Sequence, residues 1–417
     1  MNKINKDWKE VKLGDIVYFN PKESLIKGKI YKKVSMDCLK PKTREIIKYE
    51  LDKFKGGSKF RNGDTLFARI TPCLENGKIA QVSFLDNKEI GFGSTEFIVL
   101  REKENITLND YIYYLFITDK IKNIAIKSMT GTSGRQRVQE DVLKYTIVKL
   151  PPLAEQKRIA SILSALDDKI ELNNKTNKIL EEMAQTIFKE WFINFNFPNE
   201  DGKPYKKSGG EMIDSELGKI PKGWKVITLK DIISIAKGKK PKATSDKITE
   251  KFTMPYLTIN CYNNEATEYT EYNEKMHVKE LDIVMVMDGN AGKIFYGKEG
   301  ILSSTMAKLI VEDSNLNELV FYFLKSIEYD LMYHTVGSVI QHADKQYMLN
   351  KKFCVSLDNL ERLSDIFKCI RKEISLNKKE NEKLSNIRDS LLPKLMTPKG
   401  RRADGEIRVN GSGNNGV

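Results

Sequence analysis

A seam of residues recurring in alternating four- and three-residue steps runs through this chain twice, and few folds can accommodate it. In the first copy Ile159, Leu163, Leu166, Ile170, Asn173, Asn177, Leu180, Ala184, Ile187 and Trp191 keep the step without a gap. In the second, Leu363, Phe367, Ile370, Ile374, Asn377, Asn381, Leu384, Arg388, Leu391 and Leu395 do the same. A mean spacing of about 3.5 residues is the period of a coiled-coil seam. Pro151 and Pro152 forbid helix before the first copy and Pro198 forbids it after. One uninterrupted helix over 151–197 is therefore predicted, with a second over 358–398. About 40 helical residues make a rod of roughly 60 Å.

Each seam carries a pair of Asn near its centre. Asn at a seam position fixes register at some cost in stability, which suits two partner helices better than two independent ones. An antiparallel pairing sets Asn173 against Asn381, Asn177 against Asn377, Ile159 against Leu395 and Trp191 against Leu363. It also sets Leu166 against Arg388, the one poor match.

The segments between the helices repeat as well. Trp8, Lys9, Val11, Leu13, Asp15 and Ile16 align with Trp224, Lys225, Ile227, Leu229, Asp231 and Ile232. Asp64, a strand and Gly77-Lys78-Ile79 match Asp282, a strand and Gly292-Lys293-Ile294, while Ser94-Thr95 matches Ser304-Thr305 and Gly131-Thr132 matches Gly337-Ser338. The chain is thus read as a tandem repeat of domain plus long helix. The domains are 1–150 and, after a linker rich in Gly, Pro and Lys, the remainder of 198–357. Short apolar runs such as GDTLFARI, KIAQVSFL and STEFIVL read as strands, and the spacing around Leu108 to Lys127 predicts helix. The fold class expected is α+β, with two mixed α/β domains in tandem separated by a pair of long antiparallel coiled-coil helices. The stretch 399–417, basic and then Gly/Asn-rich, is expected to be a flexible tail.

Lys and Arg number 70 against 57 Asp and Glu, a formal net charge of +13, which favours a polyanionic partner or else a Lys-rich solvated surface. The opening MNKINKDWKE holds no apolar run able to serve as a signal peptide or span a bilayer, so a cytoplasmic protein is expected. Five Cys without a CxxC pair and three His without ligand spacing argue against a structural metal or a disulfide framework. Catalytic signatures are missing too. FNFP at 195–198 lacks the second Pro of an amino-methyltransferase element, Glu75-x-x-Lys78 has the wrong spacing for a metal-dependent nuclease, and GNAGKI at 289–294 lacks phosphate-loop spacing. The loop TGTSGRQRVQ does carry chemistry of another kind. Behind its small residues stand Arg135, Gln136 and Arg137, and Arg and Gln are side chains that read guanine and adenine edges through paired hydrogen bonds.

LPPLAEQKRIASIL, SGGEMIDSELGKIPKGW, TPCLENGKIA, GSTEFIVL and LLPKLM resemble the specificity subunits of type I restriction-modification systems, over nearly the whole chain. The resemblance implies two target-recognition domains, each contacting one half of a bipartite DNA site, and helices that hold the domains apart. It also implies that the helices dock two adenine-methylating modification subunits, joined by motor-nuclease restriction subunits. No catalytic centre is implied in this chain, and S-adenosylmethionine is expected only in the modification subunit. Thr71-Pro72, Asn76-Gly77-Lys78, Ser94-Thr95 and the loop Thr130 to Val138 match recurring positions of a first recognition domain. In the second, Asp288-Gly289-Asn290 stands in place of the Thr-Pro-Cys loop, and Val339-Ile340-Gln341-His342 in place of the usual polar loop. The DNA-facing candidates are Arg69, Thr71, Asn76, Lys78, Ser94, Thr95, Thr132, Ser133, Arg135, Gln136 and Arg137, then Lys239, Lys240, Asn290, Lys293, Ser304, Gln341 and His342. Two rival readings are a structural coiled-coil adaptor without DNA specificity, and a nucleic-acid enzyme with an unrecognised site.

Overall fold

The computed structural model describes residues 8–132, 134–262, 267–337, 341–356 and 360–398, without the side chain of Leu363. The expected tail 399–417 lies outside the described residues. The chain forms two compact units, Met1–Asn174 with Lys378–Val417, and Lys175–Asn377. The divisions fall within the two long helices, Leu153–Phe188 and Leu360–Leu395, so each unit owns part of each helix.

In the first unit, strands Val17–Phe19, Phe97–Glu102, Thr65–Ala68 and Ile79–Gln81 lie side by side in that order, all antiparallel. A second four-stranded sheet runs Glu50–Lys53, Ile30–Val34, Gly91–Gly93, Ser58–Phe60, with one parallel pair at its centre. Thr65–Ala68 is buried along its whole length, which is why it reads as a continuous apolar run and not as an alternating one. The helical stretch after Leu108 is two helices, Asn109–Phe116 and Asp119–Lys127. Thr118 divides them because its hydroxyl caps the Ile121 N–H. Tyr111, Ile112, Tyr113 and Tyr114 form one core with Ile159 and Leu163 of the first long helix and Leu392 and Leu395 of the second.

The Pro-Pro-Leu-Ala-Glu-Gln start has a physical reason. Pro152 opens the helix with its carbonyl accepting from the Glu155 and Gln156 N–H groups. The buried Gln156 amide donates to the carbonyls of Ile106 and Pro151 and accepts from Leu108 N–H, and Glu155 accepts from the Trp8 indole at 3.0 Å. The motif thus ties the helix N-terminus to the domain.

The second unit repeats this plan. Ile233–Lys237, Met306–Val311, Ile283–Val286 and Ile294–Tyr296 form the antiparallel sheet, and Glu268–Thr270, Met254–Leu257, Gly300–Leu302 and His277–Val278 form the sheet with one parallel pair. The register is also repeated: Phe67 pairs with Ile79 as Met285 does with Ile294, and Ala68 with Phe97 as Val286 does with Met306. That register corrects one alignment. Ser94-Thr95 is equivalent to Ser303-Ser304, one residue earlier than Ser304-Thr305, because the turn closed by Phe97 N–H on Ser94 is closed by Met306 N–H on Ser303. The linker also contains a hairpin, Met212–Ser215 with Gly218–Pro221.

The first long helix does not run unbroken to 197. It turns into a single π-helical turn, Lys189–Ile193, after Phe188. Here the Glu190 carboxylate accepts from the side chains of Asn194 and Asn196, while Phe192, Phe195 and Phe197 pack on Trp224. Side-chain capture and aromatic burial outweigh the last turns of regular helix.

Within the first unit, Asn173 donates to Asn381 at 2.9 Å and to Glu380 at 2.7 Å; within the second, Asn377 donates to Asn177 at 2.9 Å. Arg388 does not face Leu166. It pairs with the buried Asp167, a difference of one helical position, while Leu166 is half-buried. Ile159, Leu163, Asn173, Phe367, Ile370, Ile374, Asn377 and Leu395 are buried, and Ile170, Asn177, Leu180, Trp191, Asn381 and Leu384 are half-buried. Trp191 packs its ring 6.3 Å from Phe367; its expected neighbour Leu363 has a side chain outside the described ones.

Candidate nucleic-acid interface

The chain leaving strand Thr65–Ala68 enters a small ladder through Arg69, Ile70 and Thr71. Arg137 is its centre, bridged on one side to Ile70 and on the other to Thr130. Thr71 donates its N–H to the Gln136 carbonyl, and its hydroxyl accepts from the Gln136 N–H, both at 3.0 Å. Val138 N–H donates to the Arg69 carbonyl at 2.8 Å. Thr71, Gln136 and Arg137 are thereby brought together from the middle and the far end of the domain sequence, 65 residues apart for Thr71 and Gln136. Arg135 and Thr132 are exposed in the same loop, and Ser133 lies outside the described residues.

Arg69 is half-buried, its Nε meeting no partner among the described residues. It lines an open groove of about 590 Å³ with Lys22, Lys59 and the exposed Thr95. Asn76 is exposed. Two other candidates spend their polar atoms inside the domain: Lys78 donates to the Met36 carbonyl at 3.2 Å, and the Ser94 hydroxyl accepts from Glu96 N–H at 3.1 Å.

The second unit builds the same ladder from different residues. His342 is its centre, bridged to Asp288 and to Val336. Gly289 N–H donates to the Gln341 carbonyl and Ala343 N–H to the Met287 carbonyl. Gln341, His342 and Asn290 are exposed, and Lys293 and Ser304 are half-buried. Lys239 and Lys240 are exposed on the chain leaving strand Ile233–Lys237. A Cβ on the preceding Gly238 would stand 2.1 Å from the Ser303 carbonyl oxygen, so only glycine lets that chain pass.

Two carboxylates that sequence reasoning missed complete these ladders. Glu96 accepts from Arg137 through Nε at 2.9 Å and Nη2 at 2.6 Å. Asp288 accepts from His342 Nδ1 at 2.7 Å and from Lys237 at 3.3 Å. The hydrogen bond from Arg137 holds the Glu96 carboxyl below its ordinary value against the opposing effect of burial. Burial pushes the Asp288 carboxyl up, but His342 and Lys237 outweigh it and leave it lowered. The partners lie 41 and 54 residues apart in sequence, a distance over which no local pattern could pair them.

Two like domains with basic, diverged loops at one repeated structural position are the build of a two-module recognition protein. The chain belongs to the family described as the type I restriction modification DNA specificity domain, whose model matches residues 5–182 and 221–386. It is 27% identical over 322 residues to the type I restriction enzyme MjaIX specificity subunit of Methanocaldococcus jannaschii, covering 72% of this chain and 70% of that one. It is 25% identical to the MjaVIII specificity subunit of the same organism, covering 98% and 94%. Among solved structures it resembles the type I restriction-modification system S subunit from M. genitalium, with a TM-score of 0.53, 16% identity, and 95% and 98% of the two chains covered. Its function is DNA sequence recognition within a type I restriction-modification system, and its family is non-catalytic. The adaptor and enzyme readings are not favoured by this membership. Among the described residues no helix is long and apolar enough to cross a membrane.

Proposed function

We propose that each domain reads one half of a bipartite DNA target, and that the two long helices form one antiparallel coiled-coil pair that sets the unspecified spacer. The duplicated ladder carries the reading: the scaffold and register repeat, with Gln136 and Gln341 at one matching place, while Thr71 and Arg137 give way to Gly289 and His342. A fixed frame with exchanged polar side chains suits two modules that read different bases. The pairings of Asn173 with Asn381 and of Asn177 with Asn377 support helices that run in opposite directions. In this reading 1–150 and the folded part of 198–357 are the recognition domains.

The repeat also supports the stoichiometry. Two like helix surfaces each take one copy of an adenine-methylating subunit, to which restriction subunits add. S-adenosylmethionine is then held by the methylating partner and not by this chain, and the assembly works in the cytoplasm, where its DNA is. Arg69, Thr95, Thr132, Arg135 and the exposed Lys239 and Lys240 serve phosphates or base edges at the domain surface.

The test is methylation mapping of genomic DNA in cells carrying this chain with its cognate modification subunit, against cells lacking this chain. A split motif with a methylated adenine in each half, lost without the chain, is expected. Methylation that persists unchanged without it would overturn the reading.

A further inference from the structure

Arg137 and His342 leave their ladders at the same point of the internal repeat. Each is the central residue of three, between Ile70 and Thr130 in one unit and between Asp288 and Val336 in the other. Each is held by a carboxylate, yet the carboxylates come from non-equivalent positions. Glu96 directly precedes strand Phe97–Glu102, whereas Asp288 occupies the place of Ile70. The arrangement recurs although the residues that make it do not, so common descent of a framework ion pair does not account for it.

Stability does not account for it either. The side chains of Arg137 and His342 are 45% and 53% exposed, and ion pairs in such positions contribute little to folding. Arg137, already paired with Glu96, is also a poor anchor for phosphate, and beside His342 the Asp288 carboxylate repels the same incoming charge. A base edge is a better match. It is neutral and carries donors beside acceptors, as in adenine with N7 and its N6 amino group, and the pair presents a donor beside an acceptor.

We propose that Arg137 and His342 are the specificity-determining side chains at the equivalent position of the two half-sites, with Glu96 and Asp288 as the positioning residues that aim them. The inference rests on the recognition reading above. Glu96 engages Nε and Nη2, which fixes the guanidinium plane and turns its other edge to the ligand. Asp288 takes Nδ1–H of His342, which leaves Nε2 as a single contact point. The first domain therefore reads this position through a fork and discriminates more sharply than the second.

The experiment compares wild type with Arg137→Ala, Arg137→Lys, His342→Ala, Glu96→Gln and Asp288→Asn, each co-expressed with the cognate modification subunit. Motifs are read from genomic methylation. Affinity of the purified complexes is then measured against salt, using a duplex carrying the wild-type motif and its single-base variants. Arg137→Ala and Arg137→Lys are expected to relax one base pair of one half-site, with at least about fivefold loss of discrimination and an unchanged salt slope. His342→Ala relaxes one base pair of the other half, and the carboxylate variants loosen the same positions as their partners. Arg137→Lys keeps the charge, so a merely electrostatic role would leave its motif intact and overturn the proposal. A salt slope reduced by about one with the motif unchanged would mark a phosphate anchor and overturn it too. A wild-type chain that directs no split motif would instead count against the recognition reading.

Discussion

Arg388 and Asp167 stand 2.6 Å apart in the first unit, 221 residues distant in sequence and nearly without solvent contact. The second Asp167 oxygen accepts from the Tyr114 hydroxyl at 2.6 Å, and burial together with the Asp167 charge raises the Tyr114 phenol far above its ordinary range. Nearby, Arg44 pairs with Asp168 and Glu171. The network ties the helix segments to the domain in one register, since a slip of either segment would leave a buried charge alone.

Arg388→Met alone is therefore expected to cost about 3–5 kcal/mol, because Asp167 loses its compensation, while Arg388→Met with Asp167→Leu recovers most of that loss. Urea unfolding of the full chain measures both. A double variant no better than the single one would mean that the ion pair itself stabilises the fold.

The Asn pairs act through specificity more than strength. Asn173→Leu leaves the Asn381 amide short of a partner and is expected to cost about 1–3 kcal/mol. Changing Asn173 and Asn381 together to Leu should restore stability but permit other registers and self-association. Sedimentation of the double variant would reveal the extra species.

Phe367 is the aromatic centre of the second unit, its ring within 6.4 Å of Phe188, Trp191, Phe192 and Tyr322. Phe367→Ala should cost about 3–5 kcal/mol through the cavity it opens. Loss of the near-ultraviolet signal at lower urea than wild type is the readout.

Acid should release the Arg137 loop. Glu96 titrates below its unfolded value, so its pair with Arg137 contributes fully above the ordinary carboxylate range and is lost as pH falls through the lowered folded value. Glu96→Gln, which cannot titrate, is expected to show a fall in melting temperature between neutral pH and pH about 3 that is shallower only by the small amount a half-exposed pair supplies. Parallel acid limbs for the two proteins would refute this.

The proposed role of the two long helices as a spacer makes a geometric prediction. One heptad inserted into both helices adds about 10 Å, which is about three base pairs of spacer at 3.4 Å each. The half-sites should stay as they were, and methylation mapping reads both quantities at once.

Much of this architecture was legible along the chain. Seam positions recur at a local, periodic interval, so the long helices follow from spacing, and an antiparallel orientation added to it sets Asn173 against Asn381 and Asn177 against Asn377, the contacts found within each unit. The tandem repeat was equally readable from Trp8 and Trp224 onward, because Trp8 and Trp224 are buried at corresponding places in the two units. What spacing leaves open is rotation about a helix axis, where one residue is about 100°. Packing of Tyr114 decided that Asp167, and not Leu166, meets Arg388. The helix stops at Phe188 because Glu190, held by the nearby Asn194 and Asn196, and the aromatic cluster on the distant Trp224 compete with the backbone. The one-residue shift that equates Ser94 with Ser303 came from strand register, and the carboxylates that aim Arg137 and His342 from folding that brings separate strands together. Local periodicity determined the elements and their repetition; only long-range burial and hydrogen bonding decided which side chain each polar group would meet.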